Sequence, residues 1–255
     1  MLLKDFIANM ESIAPRELAF EYDNPGLIVG TERSEIRRVL VALDCTVSVA
    51  DEANEKDCDL VLTHHPLLFR AVKRIAPDDP ATAAVFRLIR YGIGLFAAHT
   101  NLDCAEGGVN TELARRLGLV NETPVPPENL CRIGELPDPM GFLEFAKLTE
   151  KALHTRVRIA GPERPVKRIM VCGGSGGSEY RLAAENGADV LVTGECKHSE
   201  AIEAVTAGVN VVVGGHYETE RIVLEPLAGM LRSMGCGAEF IMSEQETPLR
   251  TTDTF

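Results

Sequence analysis

Short apolar runs, closed by glycine or a polar turn and followed by helical stretches, constrain this chain more than any other feature. RRVLVALD (37–44), DLVLTHHP (59–66) and IGLFAAH (93–99) are such runs in the first half. KRIMVCGG (167–174), ADVLVTGE (188–195) and VNVVVGGH (209–216) are their counterparts in the second. Runs this short, with no polar alternation, suit strands buried on both faces. Helices must then cover those faces, and the sequence supplies VSVADEANEKD, ATAAVFRLIRYG (81–92), GGVNTELARRLGL (107–119), SEYRLAAENG and SEAIEAVTAG. At the N-terminus, Leu2, Leu3, Phe6, Ile7, Met10 and Ile13 form the apolar stripe of an amphipathic helix. YETERIVLEPLAGMLRSMG reads as a single final helix ahead of a strand-like AEFIMS. The expectation is an α/β fold.

The two halves resemble each other. DLVLTHH aligns with DVLVTGE, and GIGLFAAHTNLD with GVNVVVGGHYETE. Each half thus ends a strand on His-x-x-x-acid, His99/Asp103 and His216/Glu220. This predicts two similar α/β lobes related by internal pseudo-symmetry, residues 1–122 and 123–255, with the C-terminal segment available to pack back on the first. The plain alternative is that any two βαβ segments look alike. Residues 121–138, rich in proline and polar residues, read as the passage between the lobes. Duplicated lobes would bring equivalent strand ends together, and ligands bind at such ends in α/β sheets.

Composition narrows the function. A formal net charge of −12 repels phosphate backbones, and without Trp, at 5% aromatic residues, there is little for a nucleic-acid stacking platform. Seven cysteines with no C-x-x-C pair argue against a disulfide framework or zinc knuckle and for reduced thiols. No apolar run approaches the ~18 residues of a membrane span, and the N-terminus lacks the pattern of a signal peptide. The expectation is a cytoplasmic protein.

His64-His65 closes an apolar run and precedes Pro66. At a strand end turned by proline, adjacent imidazoles can diverge toward two nearby ions; the bland reading is two chance histidines in a chain that has six. His216 and Glu220, at i,i+4, share one face of a helix and suit a divalent ion. Equally, Glu220 complements a helix dipole beside a solvated histidine. Asp103 is a turn or cap residue taken alone, and gains weight from its correspondence with Glu220. Two divalent ions ~3.5–4 Å apart offer about eight to twelve ligand positions. Five side chains leave some of them open, as in catalytic rather than structural sites. GGSGG (173–177) also fits a nucleophile elbow, with Ser175, Asp189 and His216 as a hydrolase triad, or a nest of amides for phosphate.

DNPGLIVG (23–30), VLVALDCT (39–46), LVLTHHPLLF (60–69), AAHTNLDCAEGGVN (97–110), CGGSGGSE (172–179), DVLVTGECKH (189–198) and GGHYETER (214–221) together resemble the dinuclear metal centre protein family, whose members are named GTP cyclohydrolase 1 type 2 homologues. Tyr22 fits the aromatic that the family often carries before D-N. Pro25 stands where the family often has a small residue. The resemblance implies a homohexameric ring. It also implies a cleft between the lobes that holds two divalent ions on His64, His65, Asp103, His216 and Glu220, a mixed imidazole and carboxylate set that suits Zn, Fe, Mn, Co or Ni. The stretch between Gly118 and Val166 is too short for the extra domain some relatives insert.

The implied activity is hydrolysis of a nucleotide or related small anionic substrate, of the cyclohydrolase type: water attack at purine C8, ring opening and release of formate. His99 either moves protons or orients a ligand. Glu195 and His198 are candidate acid/base groups or ordinary loop residues. Two other readings stand beside the hydrolase: a non-catalytic metal-binding scaffold or regulatory protein, and a two-metal phosphoesterase.

Overall fold

A computed structural model describes residues 1–30 and 35–249. The chain forms two compact units, Met1–Glu106 with Leu224–Glu246, and Gly107–Val223 with the tail from Thr247. The end of the expected second lobe, 250–255, lies outside the described residues.

The first unit begins with α1 (Leu3–Ile13), then β1 (Gly26–Val29), β2 (Arg38–Ala42), α2 (Val47–Glu55), β3 (Leu60–Thr63), α3 (Ala83–Tyr91), β4 (Gly94–Ala97) and α4 (Thr100–Cys104). Strands β2, β3 and β4 run parallel, and β1 lies antiparallel to β4. Burial explains the apolar runs: β3 and β4 are buried at every residue. Leu40, Ala42, Val61 and Leu95 meet Val49, Ala50 and Ala53 of α2 and Ala84 and Leu88 of α3 in one core layer. On α1, Leu3, Phe6 and Met10 are buried, and the Phe6 ring meets Phe96 edge-on at 5.7 Å. Thr46 caps α2, its hydroxyl accepting from the Val49 amide at 3.2 Å. Gly92 ends α3 in the left-handed region at φ +72°.

The second unit contains α5 (Val109–Arg116), β5 (Val120–Pro124), β6 (Arg132–Gly141), α6 (Phe142–Leu153), β7 (Arg158–Ala160), β8 (Pro165–Cys172), α7 (Tyr180–Glu185), β9 (Val190–Thr193), α8 (His198–Thr206), β10 (Asn210–Val213) and α9 (His216–Glu220). Its sheet runs β5-β6-β8-β9-β10-β7, with β8, β9 and β10 parallel. Side chains alternate between two cores. Ile169, Val171, Val190, Val192 and Val212 join α5 and α6, while Met170, Cys172, Leu191 and Val211 join α7 and α8.

The chain then returns to the first unit with α10 (Leu224–Ser233) and β11 (Glu239–Met242), which adds to β2 in parallel. The first sheet therefore reads β1-β4-β3-β2-β11. In each unit three successive parallel strands, β2-β3-β4 and β8-β9-β10, are flanked beyond the third by an antiparallel strand, β1 or β7, and β11 adds a fourth parallel strand to the first sheet.

Three sequence expectations change. Residues 121–138 are not a passage: they form most of the antiparallel pair β5–β6, so the unit boundary precedes Gly107 and the expected break after Glu122 falls inside β5. Proline and polar residues misled because β5 is an edge strand, where both are tolerated. The single final helix is instead α9, a 3-10 turn at Arg221–Val223, and α10. Pro226 lacks an amide donor and is accommodated in the first turn of α10, not in the middle of a longer helix. Strands β1 and β7 and helix α6 were not among the elements expected from the sequence.

Candidate metal site

In both units the polar residues singled out above follow the C-terminal ends of the parallel strands. His64 and His65 follow β3, and His99 follows β4. The turn after β3 is set by the His65 amide donating to the Leu43 carbonyl at 3.0 Å and the Thr63 hydroxyl donating to the His65 carbonyl at 2.9 Å. The two adjacent rings then lie 4.9 Å apart and tilted by 48°, not on opposite faces of a strand. His99 joins them, its ring centroid 5.2 Å from that of His64 and 5.6 Å from that of His65. Each of the three offers a nitrogen within 4.8 Å of the others, a group able to hold a metal ion.

Every one of these imidazoles is held by its Nδ1. His64 Nδ1 donates to the Ala98 carbonyl at 2.8 Å, His65 Nδ1 to Asp44 at 2.7 Å, and His99 Nδ1 to Asp23 at 2.8 Å. Carbonyls and carboxylates only accept, so Nδ1 carries the proton in each. Neutral rings then present the Nε2 lone pair, as metal-ligating histidines do. Asp103, on α4, places Oδ1 3.6 Å from His64 Nε2. Asp23 has a fully buried side chain and also accepts from the Thr100 amide and hydroxyl. Burial pushes its carboxyl up, but hydrogen bonds from His99 and Thr100 and the attraction of His99 outweigh that and hold it at about 2.

The second unit repeats the device. His216 opens α9, its Nδ1 donating to Glu195 Oε1 at 2.9 Å while Nε2 lies 3.1 Å from Glu220 Oε2. With Nδ1 protonated, a lone pair and a carboxylate face each other there. A proton on Nε2, or a cation, reconciles them. The Ser175 hydroxyl donates to Glu195 Oε2 at 2.6 Å; that bond, with the hydrogen bond and attraction of His216, outweighs burial and holds the Glu195 carboxyl below its usual range. Gly174, at φ +58°, makes room for this pair: a Cβ there would overlap the Glu220 carboxylate and sit 3.2 Å from His216 Nε2. The donor sets of both units, imidazole Nε2 and carboxylate oxygen, fit borderline divalent ions.

Two sequence readings fail. Ser175 bonds Glu195 rather than a histidine, and Asp189 accepts the Lys167 and Arg168 amides at the opposite end of the strands, so no serine triad forms. The glycine-rich turn is not a phosphate nest, because the Gly173, Gly174 and Gly176 amides donate to Asn110, Thr219 and Thr193. His198 stands exposed as the first residue of α8. Sequence reasoning missed Asp44 and Asp23, although each stood in a quoted motif. An acid two residues past a strand, or one flanked by Tyr and Asn, was the available signal.

An α/β chain of two units, carrying histidine and carboxylate groups suited to metal ions beyond its strand ends, defines the class. The model of the Duf34/NIF3 (NGG1p interacting factor 3) family matches residues 1–248, and the chain belongs to that family. A Clostridium perfringens protein named GTP cyclohydrolase 1 type 2 homolog is 35% identical over 254 residues, covering 96% of this chain and 97% of that one. The NIF3 homolog of Schizosaccharomyces pombe is 30% identical, covering 95% of each. Among solved structures, Staphylococcus aureus protein SA1388 superposes with a TM-score of 0.91 at 28% identity, over 98% of this chain and 99% of that one. Among the described residues no helix is long and apolar enough to cross a membrane.

Proposed function

We propose that this protein is a metal-dependent hydrolase of the GTP cyclohydrolase 1 type 2 kind, acting on a nucleotide or related small anionic substrate. It would hold two divalent ions on His64, His65, Asp103, His216 and Glu220. The observation that carries this reading is the common state of the imidazoles: each donates Nδ1–H to a carboxylate or carbonyl, and Nε2 of His64 and of His216 lies 3.6 Å and 3.1 Å from the Asp103 and Glu220 carboxylates. The repeated order of three parallel strands and an antiparallel neighbour supports reading the units as related contributors of ligands.

Bound divalent ions supply Lewis acidity and bring the pKa of water toward neutrality. Within the chain, Asp44 and Glu195 act as positioning residues for His65 and His216. His99, steadied by Asp23, has a free-facing Nε2 beside the His64–His65 pair and accepts and returns a proton as water adds at the purine C8 carbon. A first addition opens the imidazole ring at C8–N9. A second, at the resulting N7-formyl group, breaks C8–N7 and releases C8 as formate, leaving N7 as an amine. Seven cysteines that form no disulfide support a reducing, cytoplasmic setting. Exposed Ile159 on edge strand β7 and Ile202 on α8 support self-association, read here as a homohexamer. Light scattering of the purified protein tests that state directly.

Elemental analysis of the wild type beside His65→Ala and Glu220→Ala tests the site, with about two ions per chain expected in the wild type and loss in both folded variants. Incubation with GTP then separates the chemistries. Formate release abolished by His65→Ala supports the hydrolase. Orthophosphate without formate indicates a phosphoesterase. Bound metal with neither product indicates a scaffold.

A further inference from the structure

Beside the His64–His65–His99 group the first unit exposes an aromatic wall that the chemistry above does not use. Phe20 and Tyr22 stack with centroids 5.5 Å apart and planes 27° apart. Phe69 meets Tyr22 edge-on at 6.2 Å and His99 edge-on at 5.9 Å. The rings therefore run continuously from the surface to the histidines. They are not loosely held: the Phe20 amide donates to the Thr100 hydroxyl at 3.1 Å, Asp23 binds His99 and Thr100, and the Asn24 side chain donates to the Leu68 carbonyl at 2.8 Å. Yet Tyr22 is 67% exposed and Phe69 42% exposed. In a chain with only 5% aromatic residues, rigid rings left in water next to a reaction site call for a ligand.

The neighbouring charges say which kind. Phe69 opens the exposed stretch FRAVKRI (69–75). Among the described residues Arg70 and Lys73 make no ion pair, whereas Arg74 is paired with Asp78 at 2.6 Å. Uncommitted cations in a protein of net charge −12 favour an anion.

We propose that Tyr22 and Phe69 form a stacking face for the planar heterocyclic ring of an anionic ligand, with Arg70 and Lys73 attracting its charged end. This deepens the reading above and rests on the histidine group as the reaction site. Stacking on an aromatic ring tolerates many ring types, so the face recognises planarity, and the cations recognise charge.

The test is equilibrium binding of GTP, ATP, guanosine and inorganic tripolyphosphate to the full-length, metal-supplied protein. Variants are Tyr22→Ala, Tyr22→Phe, Phe69→Ala, the double alanine variant and Arg70→Ala/Lys73→Ala, each checked for melting temperature, metal content and mass in solution. The expected result is a loss of about tenfold in nucleotide affinity in each alanine variant, retention in Tyr22→Phe, and unchanged tripolyphosphate binding. Arg70→Ala/Lys73→Ala should weaken binding of GTP and tripolyphosphate but not of neutral guanosine. Wild-type affinity for GTP in a folded double alanine variant would overturn the proposal, as would a wild type that binds none of the ring compounds. A change in assembly mass in the alanine variants, without change in nucleotide affinity, would instead make the wall a self-association surface and overturn it too. A wild type that stacks nucleotides but holds no metal would sink the metal reading while leaving the stacking face intact.

Discussion

Asp44 lies 21 residues from His65 in sequence, yet it decides which nitrogen of that ring carries the proton. Asp23 does the same for His99 across 76 residues. The residue types of the candidate site were legible because His-His-Pro and His-x-x-x-Glu are local patterns. Their orienting carboxylates were not, because only folding brings strand ends and loops of such separation together. Replacing Asp44 by Asn leaves shape but weakens the acceptor and allows a donor toward Nδ1. The expected outcome is metal binding weakened about 10–100-fold, measured by competition with a chelator, with unchanged far-UV circular dichroism.

At the scale of elements, the buried parallel strands were readable because a strand covered on both faces has no polar alternation to blur it. β5, with its exposed and partly buried residues, looked like a linker for the opposite reason. The turn after β8 shows backbone serving the site. Gly174→Ala must push against the Glu220 carboxylate and strain a positive φ. Expected are a loss of bound metal by elemental analysis and a lower thermal midpoint, even though the variant adds one methyl group. Helix α1 tests the packing instead. Phe6 is fully buried against Phe96, so Phe6→Ala is expected to cost about 3–5 kcal/mol in urea unfolding. An effect below about 1 kcal/mol would mean that α1 is not part of the cooperative core.

For the whole molecule, Glu52 on α2 is a tie to the returning C-terminal segment. It accepts from Lys56, from the Ser243 hydroxyl and from the Glu244 amide. Burial raises its pKa, but these bonds outweigh burial and leave it lowered. A depressed carboxyl adds stability above its unfolded pKa and loses it as pH falls through the folded value. Glu52→Gln is therefore expected to be less stable than wild type near pH 7, with the gap closing below about pH 4, as read by denaturant midpoints across that range. A gap that stays constant with pH would assign the effect to packing rather than charge.

Strand β11 completes the first sheet only after Gly107–Val223 of the second unit has been spelled out, because Glu239–Met242 pairs with β2. On the ribosome, the β2 edge must wait through some two hundred codons for its neighbour. During that interval it is an open hydrogen-bonding edge flanked by apolar side chains, the kind of surface that recruits chaperones or aggregates. A chain cut ahead of Glu239 would make that waiting state permanent.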